Sequence, residues 1–389
     1  MAGDARIYVF TAFEQSGDAH AAPVIAAIRS MDPGARIVAW GGERMARAGA
    51  EMRGRTAEDG TMGVRALSKV FAVRRIAQEV DRFAREHGVT VHIPVDSPAA
   101  NFPLCARTKR RGAKVVHLVA PQLWAWGPWR IRKLRRLTDH VICLLPFEQS
   151  WFRERGVAAT FVGHPVINAP DLETVGGWSP ASEQASGAPR VLLLPGSRLH
   201  EVDRNAAVLL DCWEAIAAKH PAAVATVCAA NEGVRRRFEQ MTAGRPIGRR
   251  SMVVGEIDAT ARWCDFAIAV SGTVSLDLTR ARKPVIGIYR ATALSCAIGN
   301  RVLTARDRLL PNILARRRIV PEFVPHSGSS QPIIEAALRL ASDSVWRAEI
   351  SRDLEGVARL FGGHDPGPEA ARVILAVAQK CERESGGRG

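Results

Sequence analysis

Short apolar runs alternate with longer segments of helical period along the first part of the chain. The apolar runs predict buried strands at residues 6–11, 36–40, 90–95, 114–118 and 140–144. Apolar positions that recur every three to four residues predict helices at residues 18–31 and 66–87. Strands and helices in alternation are typical of a parallel sheet covered by helices on both faces.

The same alternation starts again after a stretch of different composition. Residues 168–190 are rich in Pro, Gly, Ser and Ala and show no period, which indicates a linker. Further strands are predicted at residues 190–194, 223–228, 266–270 and 284–288, and closing helices at residues 333–340 and 368–381. We therefore predict an α/β protein with two Rossmann-like, doubly wound parallel-sheet domains that face a cleft. The expected division is an N-terminal domain at 1–168, a linker at 169–190, a C-terminal domain at 191–355, and a closing helix with a loose tail at 356–389.

Composition narrows the class of protein without naming a function. The 389 residues are 47% hydrophobic and 24% charged, which is ordinary for a globular protein. No apolar run approaches the roughly 20 residues that a membrane-spanning helix needs, and no signal-peptide pattern opens the chain. The seven cysteines include no C-x-x-C pair, which indicates reduced thiols. We expect a cytoplasmic protein.

The net charge of +15 favours anionic partners of several kinds. Phosphorylated ligands, anionic membrane surfaces and nucleic acids would all be attracted by such an excess. The sequence has no zinc-finger spacing and no RNA-recognition signature, so we do not expect a nucleic-acid partner. A solvated basic face with no specific partner is the alternative.

A strand–turn–helix segment at residues 191–201, Val-Leu-Leu-Leu-Pro-Gly-Ser-Arg-Leu-His-Glu, carries the clearest chemical signal. Its turn contains Gly196, Ser197 and Arg198, and a helix is expected to start near Glu201. Free N–H groups and the helix dipole favour an anion there, and a guanidinium can bind phosphate oxygens in a fork. An ordinary turn with a surface arginine would give the same pattern.

A second turn of this kind follows the strand predicted at residues 266–270. Ser271, Gly272 and Thr273 add hydroxyl groups, and a helical pattern continues through Arg282. Two anion sites in one domain suit a diphosphate. The chain has no Asp-x-Asp pair and no compact set of histidines, so we expect no metal and no cofactor.

Two turns of the N-terminal domain place polar residues at strand ends, where such sheets bind ligands. In the first, Ser16 or Asp18 could cap the following helix, and Gly17 would let the backbone approach a ligand. In the second, Asp96 precedes a proline-fixed turn and could act as a general base toward a hydroxyl group. Capping of a helix that begins near Ala99 explains Asp96 equally well.

Apolar and basic residues are mixed in two further segments. Val64, Leu67, Val70, Phe71 and Val73 alternate with arginines and a lysine, as in a helix that lies on a bilayer or binds a lipid. An ordinary amphipathic helix facing the core gives the same pattern. The second segment holds three indoles followed by a basic run; its members are Trp124, Trp126, Trp129 and the cations at 130, 132, 133, 135 and 136. Indoles stack on sugar faces or fill core, and we expect these three to fill core. The basic run indicates a helix that binds phosphate or an anionic surface, and a solvated face is the alternative.

Eight short motifs follow one another along the chain: Glu14-x-Ser16-Gly17-Asp18, Asp96-x-Pro98-x-x-Asn101, Trp124-Ala-Trp126, Leu145-Pro-Phe147-Glu148, Gly163-His164-Pro165, Leu194-Pro-Gly-Ser-Arg198-x-x-Glu201, Ser271-Gly-Thr273 and Leu310-Pro-Asn312. In this order and spacing the chain resembles the lipid-A-disaccharide synthase family. The resemblance runs from about Tyr8 to about Val324. Each motif is weak alone, but eight in register are specific.

The resemblance implies a fold and a reaction. The expected fold is the GT-B type, with UDP held mainly by the C-terminal domain. The expected enzyme is an inverting hexosyltransferase that joins UDP-2,3-diacylglucosamine to 2,3-diacylglucosamine 1-phosphate, which releases UDP and forms a β-1,6 disaccharide in lipid A biosynthesis. Such enzymes work at the inner face of the cytoplasmic membrane, and family members can pair as homodimers.

Roles for individual residues follow from the same resemblance. The aspartate matching Asp96 is the family's candidate general base, and the arginine matching Arg198 is expected to hold the diphosphate of the donor. The remaining matched positions are expected near the substrate or UDP; they are Ser16, Gly17, Asp18, Asn101, Gly196, Ser197, Glu201, Ser271, Gly272, Thr273, Asp277 and Asn312.

Several positions depart from the family pattern. Phe13 replaces a glycine, which would place a bulky side chain at the cleft turn, and Asp277 replaces a glutamate. Ala99 and Ala100 replace acidic and aromatic residues, and Pro325 replaces a glutamine. These departures concern mainly the acceptor side. A diverged UDP-sugar transferase with another acceptor, or a non-catalytic protein that binds a UDP-sugar or an anionic lipid, is therefore the alternative.

Overall fold

The computed structural model describes residues 6–57, 66–169, 187–245, 250–292 and 306–386. The chain divides into two compact units, of which one combines Met1–Asn168 with Gly363–Gly389 and the other spans Ala169–Gly362. Within the described ranges, no helix is both long enough and apolar enough to cross a membrane.

The first unit contains β1 (Ile7–Ala12), β2 (Arg36–Gly41), β3 (Glu51–Arg55), β4 (Val91–Val95), β5 (Lys114–Leu118), β6 (His140–Cys143) and β7 (Ala159–Phe161). In the described part of this unit these strands form one seven-stranded parallel sheet, in the order β3-β2-β1-β4-β5-β6-β7. The edge strands β3 and β7 were not predicted. Charged residues and glycine dominate β3, so it carries no apolar run that could reveal it.

Helices cover both faces of this sheet: α1 (Gln15–Met31), α2 (Glu43–Arg47), α3 (Ala66–His87), α4 (Pro98–Arg110), α5 (Ile131–Leu137) and α6 (Glu148–Arg153), with a 3-10 turn at Pro128–Arg130. On one face, Ile25 of α1 shares a core with Phe10 of β1. On the other face, Val80 of α3 shares a core with Val9 of the same strand. Successive β1 residues thus belong to different cores, as the pleat of a strand buried on both faces requires.

The second unit contains β8 (Arg190–Leu194), β9 (Val224–Ala229), β10 (Arg250–Val254), β11 (Phe266–Val270), β12 (Val285–Arg290) and β13 (Glu322–His326). Among the residues described there, these strands form a six-stranded parallel sheet in the order β10-β9-β8-β11-β12-β13. Its helices are α7 (Leu199–Lys219), α8 (Glu232–Met241), α9 (Ile257–Trp263), α10 (Val274–Arg280), α11 (Leu310–Ala315), α12 (Gln331–Ser342) and α13 (Ser344–Arg359).

Strand order reverses beside the first strand of each sheet. The first sheet grows outward from β1 to β3 and resumes at β4 on the other side of β1, and the second does the same from β8 to β10 and then β11. Connections that leave two such neighbouring strands go to opposite faces of the sheet and leave a crevice at its carboxyl edge. The turns after β1 and β4, and those after β8 and β11, lie at these two switch points.

The end of the chain returns to the first unit as α14 (Pro366–Gly386), where Ile374 joins the core formed by α1 and the sheet. Two predicted bounds are therefore wrong. Residues 382–386 belong to this helix and not to a loose tail, and the predicted domain end at 355 lies inside α13. Residues 382–386 include no apolar residue, so hydrophobic periodicity could not show that the helix continues.

Removal of the Ile374 side chain should destabilise the first unit, because the side chain is fully buried between α14 and the sheet. We expect Ile374→Ala to cost about 2–5 kcal/mol and to lower the melting temperature. The matched control is Arg372→Ala, because Arg372 is exposed on the same helix and its loss should change stability by less than about 0.5 kcal/mol. Equal melting temperatures for the two variants would show that α14 contributes nothing to this core.

Candidate active site

Asp96 lies at the switch point of the first sheet in an unusual backbone conformation. Asp96 and Ser97 have φ values of 49° and 36°, so two consecutive residues other than glycine adopt left-handed geometry. The N–H of Asp96 donates to the carbonyl of Leu118 at 2.9 Å, which ties the turn to β5. Such strain costs roughly 1–3 kcal/mol per residue and is concentrated at functional sites.

The turns after β1 and β4 contact each other through Glu14. The hydroxyl of Ser97 donates to Glu14 Oε1 at 3.1 Å, and Glu14 is the N-cap residue of α1. Burial raises the pKa of Asp96 above its ordinary value; the N–H of Ser97 opposes this, and the Glu14 carboxylate adds to it. A carboxylate with a raised pKa is a better proton acceptor than an ordinary surface aspartate. Glu14 was not among the predicted site residues, although it stands in one of the motifs.

Asn101 supports this turn from inside the unit. It is fully buried, and its Nδ2 donates to the carbonyls of Val95 and Asp96 at 3.1 Å and 2.9 Å. Its Oδ1 accepts from the hydroxyl of Thr11 at 2.7 Å. Asn101 therefore has a structural role at this turn, and its predicted contact with substrate stays a prediction.

The structure also corrects the predicted roles around the start of α1. Asp18 lies within α1 and is buried, and its carboxylate accepts the N–H groups of Gly42, Arg44 and Met45 at 2.9–3.1 Å. It caps α2, not α1 as predicted. A Cβ added to Gly17 would lie 3.1 Å from the Cβ of Ala12, so close packing explains this glycine. Ser16 remains exposed in the first turn of α1.

The turn after β8 is built around Glu201. Its Oε2 accepts the N–H groups of Ser197 and Arg198 at 2.8 Å and 3.1 Å, and its Oε1 accepts Arg198 Nη1 at 3.2 Å. Gly196 has φ +101°, and a Cβ there would lie 2.6 Å from the Glu201 carboxylate, so only glycine fits. Two N–H groups that were predicted to be free for an anion are thus occupied by the protein's own carboxylate. The helix accordingly starts at Leu199, before the predicted residue.

Positive charge at this turn comes from the Arg198 side chain, which is 62% exposed. Next to β8, the turn after β11 presents Gly272 and Thr273 at the surface, while the N–H of Ser271 is bonded to the carbonyl of Ile288 at 2.8 Å. Parallel neighbours end at the same edge of a sheet, so both turns lie at one switch point. The turns at 196–198 and 271–273 thus end neighbouring strands, and their binding of a diphosphate stays a prediction.

Asp277 lies in the first turn of α10, which follows the turn at 271–273, and its carboxylate is largely shielded from water. Burial, followed by the negative charge of Asp258, raises the pKa of Asp277 to about 6, and Arg280 opposes this. Arg280 itself pairs with Asp258. Asn312, by contrast, is fully buried, with its amide bonded to Val320 and Glu322 and its oxygen accepting the N–H groups of Ile319 and Val320. The expectation that Asn312 lies near the nucleotide stays a prediction, and its amide holds the turn before β13 in this structure.

Known proteins of similar sequence identify the family of this chain. A family model described as lipid-A-disaccharide synthetase matches residues 7–358. The lipid-A-disaccharide synthase of Myxococcus xanthus is 32% identical over 388 residues, which cover 97% of this chain and 98% of that protein. The chain belongs to the lipid-A-disaccharide synthase family. Members of this family are hexosyltransferases of lipid A biosynthesis, and the resemblance drawn from the motifs is confirmed.

Solved structures of low sequence identity support the fold and nothing further. The UDP-GlcNAc 2-epimerase from Neisseria meningitidis, bound to UDP-GlcNAc, has a TM-score of 0.64 at 12% identity and covers 96% of this chain and 99% of its own. The calicheamicin glycosyltransferase CalG4 has a TM-score of 0.57 at 16% identity and covers 96% and 98%. The predicted GT-B fold, with two Rossmann-like parallel-sheet domains, is confirmed.

Some departures from the synthase family pattern lie away from the site. Phe13 was expected at the cleft turn, but its side chain is buried in the core between β1 and α3. Ala100 packs against the same core, whereas Ala99 is exposed in the first turn of α4. Pro325 lies within β13. Of the two alanines, only Ala99 lies open at the carboxyl edge next to Asp96.

The predicted membrane-facing residues behave differently from one another. Val70 and Phe71 are 51% and 65% exposed, whereas Val73 is partly buried and packs against the core under α3. Val64 and the side chain of Leu67 lie outside the described residues. The expectation that all three indoles fill core is wrong, because Trp126 and Trp129 are exposed, the latter by 71%.

No group of three or more potential metal ligands (His, Cys, Asp or Glu) lies close enough together to hold an ion in the part of the chain described.

The raised pKa of Asp277 predicts a pH-dependent stability. The folded state holds this proton up to about pH 6, so stability is fully present below pH 4 and falls as pH rises through 6. Asp277→Asn removes this dependence. Between pH 4 and pH 8, the wild type should therefore lose at most about 3 kcal/mol of unfolding free energy relative to the variant. Melting temperatures of both proteins across this range test it. Parallel curves for the two proteins would contradict the buried carboxylate.

Proposed function

We propose that this protein joins UDP-2,3-diacylglucosamine to 2,3-diacylglucosamine 1-phosphate, forming the β-1,6-linked disaccharide 1-phosphate and UDP. Membership of the synthase family supports the reaction. The observation that carries the proposal for this chain is Asp96, a carboxylate with a raised pKa on a strained turn at the switch point of the first sheet. Family membership names the reaction, and Asp96 supplies a group able to begin it.

Asp96 is the proposed general base. It takes the proton of the acceptor's 6-hydroxyl while that oxygen attacks the anomeric carbon of the donor and inverts its configuration. Burial disfavours the charged carboxylate, which raises the pKa of Asp96 and makes it a better proton acceptor than an exposed aspartate. The left-handed turn fixes the direction of the carboxylate, because its backbone is held by Asn101 and Leu118.

The donor's diphosphate is proposed to bind in the second unit. Arg198 supplies an exposed guanidinium, and Ser271 to Thr273 supply hydroxyl groups at the neighbouring strand end. These groups would stabilise the negative charge that develops on departing UDP. Gly196 and Glu201 shape the turn that presents Ser197 and Arg198, and Asp277 lies in the helix that follows the second turn.

We further propose that the enzyme is cytoplasmic and binds the membrane surface through the carboxyl edge of the first sheet. Val70 and Phe71 are exposed at the start of α3, and Trp126 and Trp129 are exposed before α5. Both helices lead into strands of one parallel sheet, so these side chains lie toward the edge that carries Asp96. Nearby cations would attract anionic lipid; they are Arg74, Arg75, Arg132 and Lys133. A homodimer and the absence of a nucleic-acid partner stay predictions.

Release of UDP by the purified protein in detergent tests the reaction. With both sugar substrates present, Asp96→Asn should lower kcat by roughly 10²–10⁴-fold, because the amide cannot accept the proton. The KM for the UDP-sugar donor should change little. The matched control is Asp81→Asn, since Asp81 lies on α3 and pairs with Arg111 beyond the opposite end of α4.

Each result of this assay has a distinct meaning. Full turnover by the Asp96 variant would refute the base assignment. Donor binding without acceptor-dependent UDP release in the wild type would favour a transferase with another acceptor, which the exposed Ala99 makes the leading alternative. Absence of both donor binding and turnover would count against the proposed synthase and against a transferase with another acceptor.

Membrane binding is tested by cosedimentation with vesicles that contain anionic phospholipid. Phe71→Ser should weaken vesicle binding by about tenfold, because an exposed phenyl ring gains roughly 1.5 kcal/mol or more on leaving water. Turnover in detergent should stay unchanged. Val345→Ser, at a similarly exposed apolar residue of α13, is the control and should bind vesicles like the wild type. Equal binding by the two variants would exclude α3 from the membrane contact.

A further inference from the structure

A chain of four buried polar side chains runs from the interior of the first unit to the Asp96 turn. Thr108, His92, Thr11 and Asn101 each have an exposed fraction of 0%. Thr108 Oγ1 lies 2.9 Å from His92 Nδ1, and His92 Nε2 lies 3.0 Å from Thr11 Oγ1. Thr11 Oγ1 then donates to Asn101 Oδ1 at 2.7 Å. Buried polar groups of this kind are conspicuous in strands that are otherwise apolar on both faces.

The positions of the protons follow from the donors and acceptors available. Asn101 Nδ2 already donates to two carbonyls, so Asn101 Oδ1 is the acceptor that faces Thr11. The single hydroxyl proton of Thr11 is used for that bond, and the Thr11 oxygen must accept from His92 Nε2. His92 Nδ1 is then free to accept from Thr108. Burial, with His117 as a smaller cause, lowers the pKa of His92 to about 3, so the ring stays neutral.

Thr11 and the two carbonyls together hold the Asn101 amide, with Oδ1 toward Thr11 and Nδ2 toward Val95 and Asp96. If the amide turned over, its NH₂ group would face the Thr11 hydroxyl and its oxygen would face the carbonyls of Val95 and Asp96, which offer no proton. Those two carbonyls belong to the peptide groups on either side of Asp96, whose backbone is left-handed. A strained conformation persists only where its surroundings determine it fully.

We propose that Thr11 is a positioning residue for the reaction, which acts through Asn101 to hold the Asp96 carboxylate in the direction needed for proton transfer. This inference rests on the proposed function, in which Asp96 is the base. Thr11 touches neither the carboxylate nor a substrate. Its influence is geometric, and displacement of a reacting group by about 1 Å can lower a rate by roughly 10²-fold.

The decisive variant is Thr11→Val, which keeps the shape of the side chain and removes the hydroxyl. We expect kcat in the UDP-release assay to fall by roughly 10- to 100-fold, with the KM for the UDP-sugar donor within about twofold of the wild type. Thr11→Ser restores the hydroxyl and should return kcat to within about threefold. A loss confined to kcat and rescued by serine is not the signature of general destabilisation.

Thr226→Val is the matched control for stability. Thr226 is also a buried strand threonine, but it lies in the second unit. Its hydroxyl bonds one side chain, Ser251 at 2.9 Å, whereas the hydroxyl of Thr11 bonds two. Thr226→Val should lower the melting temperature by an amount similar to Thr11→Val and leave kcat unchanged. Thr11→Cys, with a weaker donor of similar reach, should give an intermediate kcat and serves if the valine variant does not fold.

The outcomes separate this inference from the proposed function. Wild-type kcat in Thr11→Val or in Thr11→Cys, beside an inactive Asp96→Asn, would overturn the positioning role and leave the base assignment intact. Equal losses in the valine and serine variants, or an equal loss in Thr226→Val, would also overturn it. Full turnover by Asp96→Asn would overturn the base assignment and this inference together.

Discussion

The reversal of strand order beside β1 and beside β8 is the constraint on which both candidate sites depend. Strands buried on both faces need helices on both sides, and a single chain achieves this by winding outward from a central strand in two directions. The connections after β1 and β4 therefore go to opposite faces of the first sheet, and those after β8 and β11 go to opposite faces of the second. Their ends stay uncovered by helices, and Asp96, Glu14, Arg198 and Thr273 all lie there because of this topology and not because of local sequence.

Carboxylates of the protein occupy backbone N–H groups that a motif-based interpretation assigns to ligands. Asp18 accepts three N–H groups at the start of α2, and Glu201 accepts two before α7. A buried N–H group needs a partner in the absence of ligand as well as in its presence, and a fixed carboxylate supplies one. In the proposed function, attraction of a diphosphate to the turn after β8 comes chiefly from the Arg198 guanidinium, since the Glu201 carboxylate cancels part of the helix dipole.

Much of the fold could be predicted from the sequence, because buried parallel strands such as 191–194 read as continuous apolar runs. The positions of the switch-point turns followed from those strands. The functions of individual residues did not follow, since a motif shows that Asn312 or Asp18 matters without showing which groups it contacts. Exposure was hardest to predict: Trp129 and Phe13 are both aromatic residues beside turns, yet only the second reaches a core. That difference depends on tertiary neighbours, which a single sequence does not reveal.

The residues that lower stability coincide with the places where chemistry is expected. Left-handed backbone at Asp96 and Ser97, the buried carboxylate of Asp277, and the exposed rings of Phe71 and Trp129 each work against folding. Local preferences and packing agree in β8, whose apolar residues are buried on both faces, but exposed Val345 and left-handed Arg282 and Arg316 show similar conflicts away from these sites. A sequence under selection for stability alone would remove such conflicts, because a glycine at Ser97 or a polar residue at Phe71 would do so at once. Two consecutive left-handed residues beside a carboxylate with a raised pKa occur at the Asp96 turn, and that combination is an argument for function that is independent of family membership.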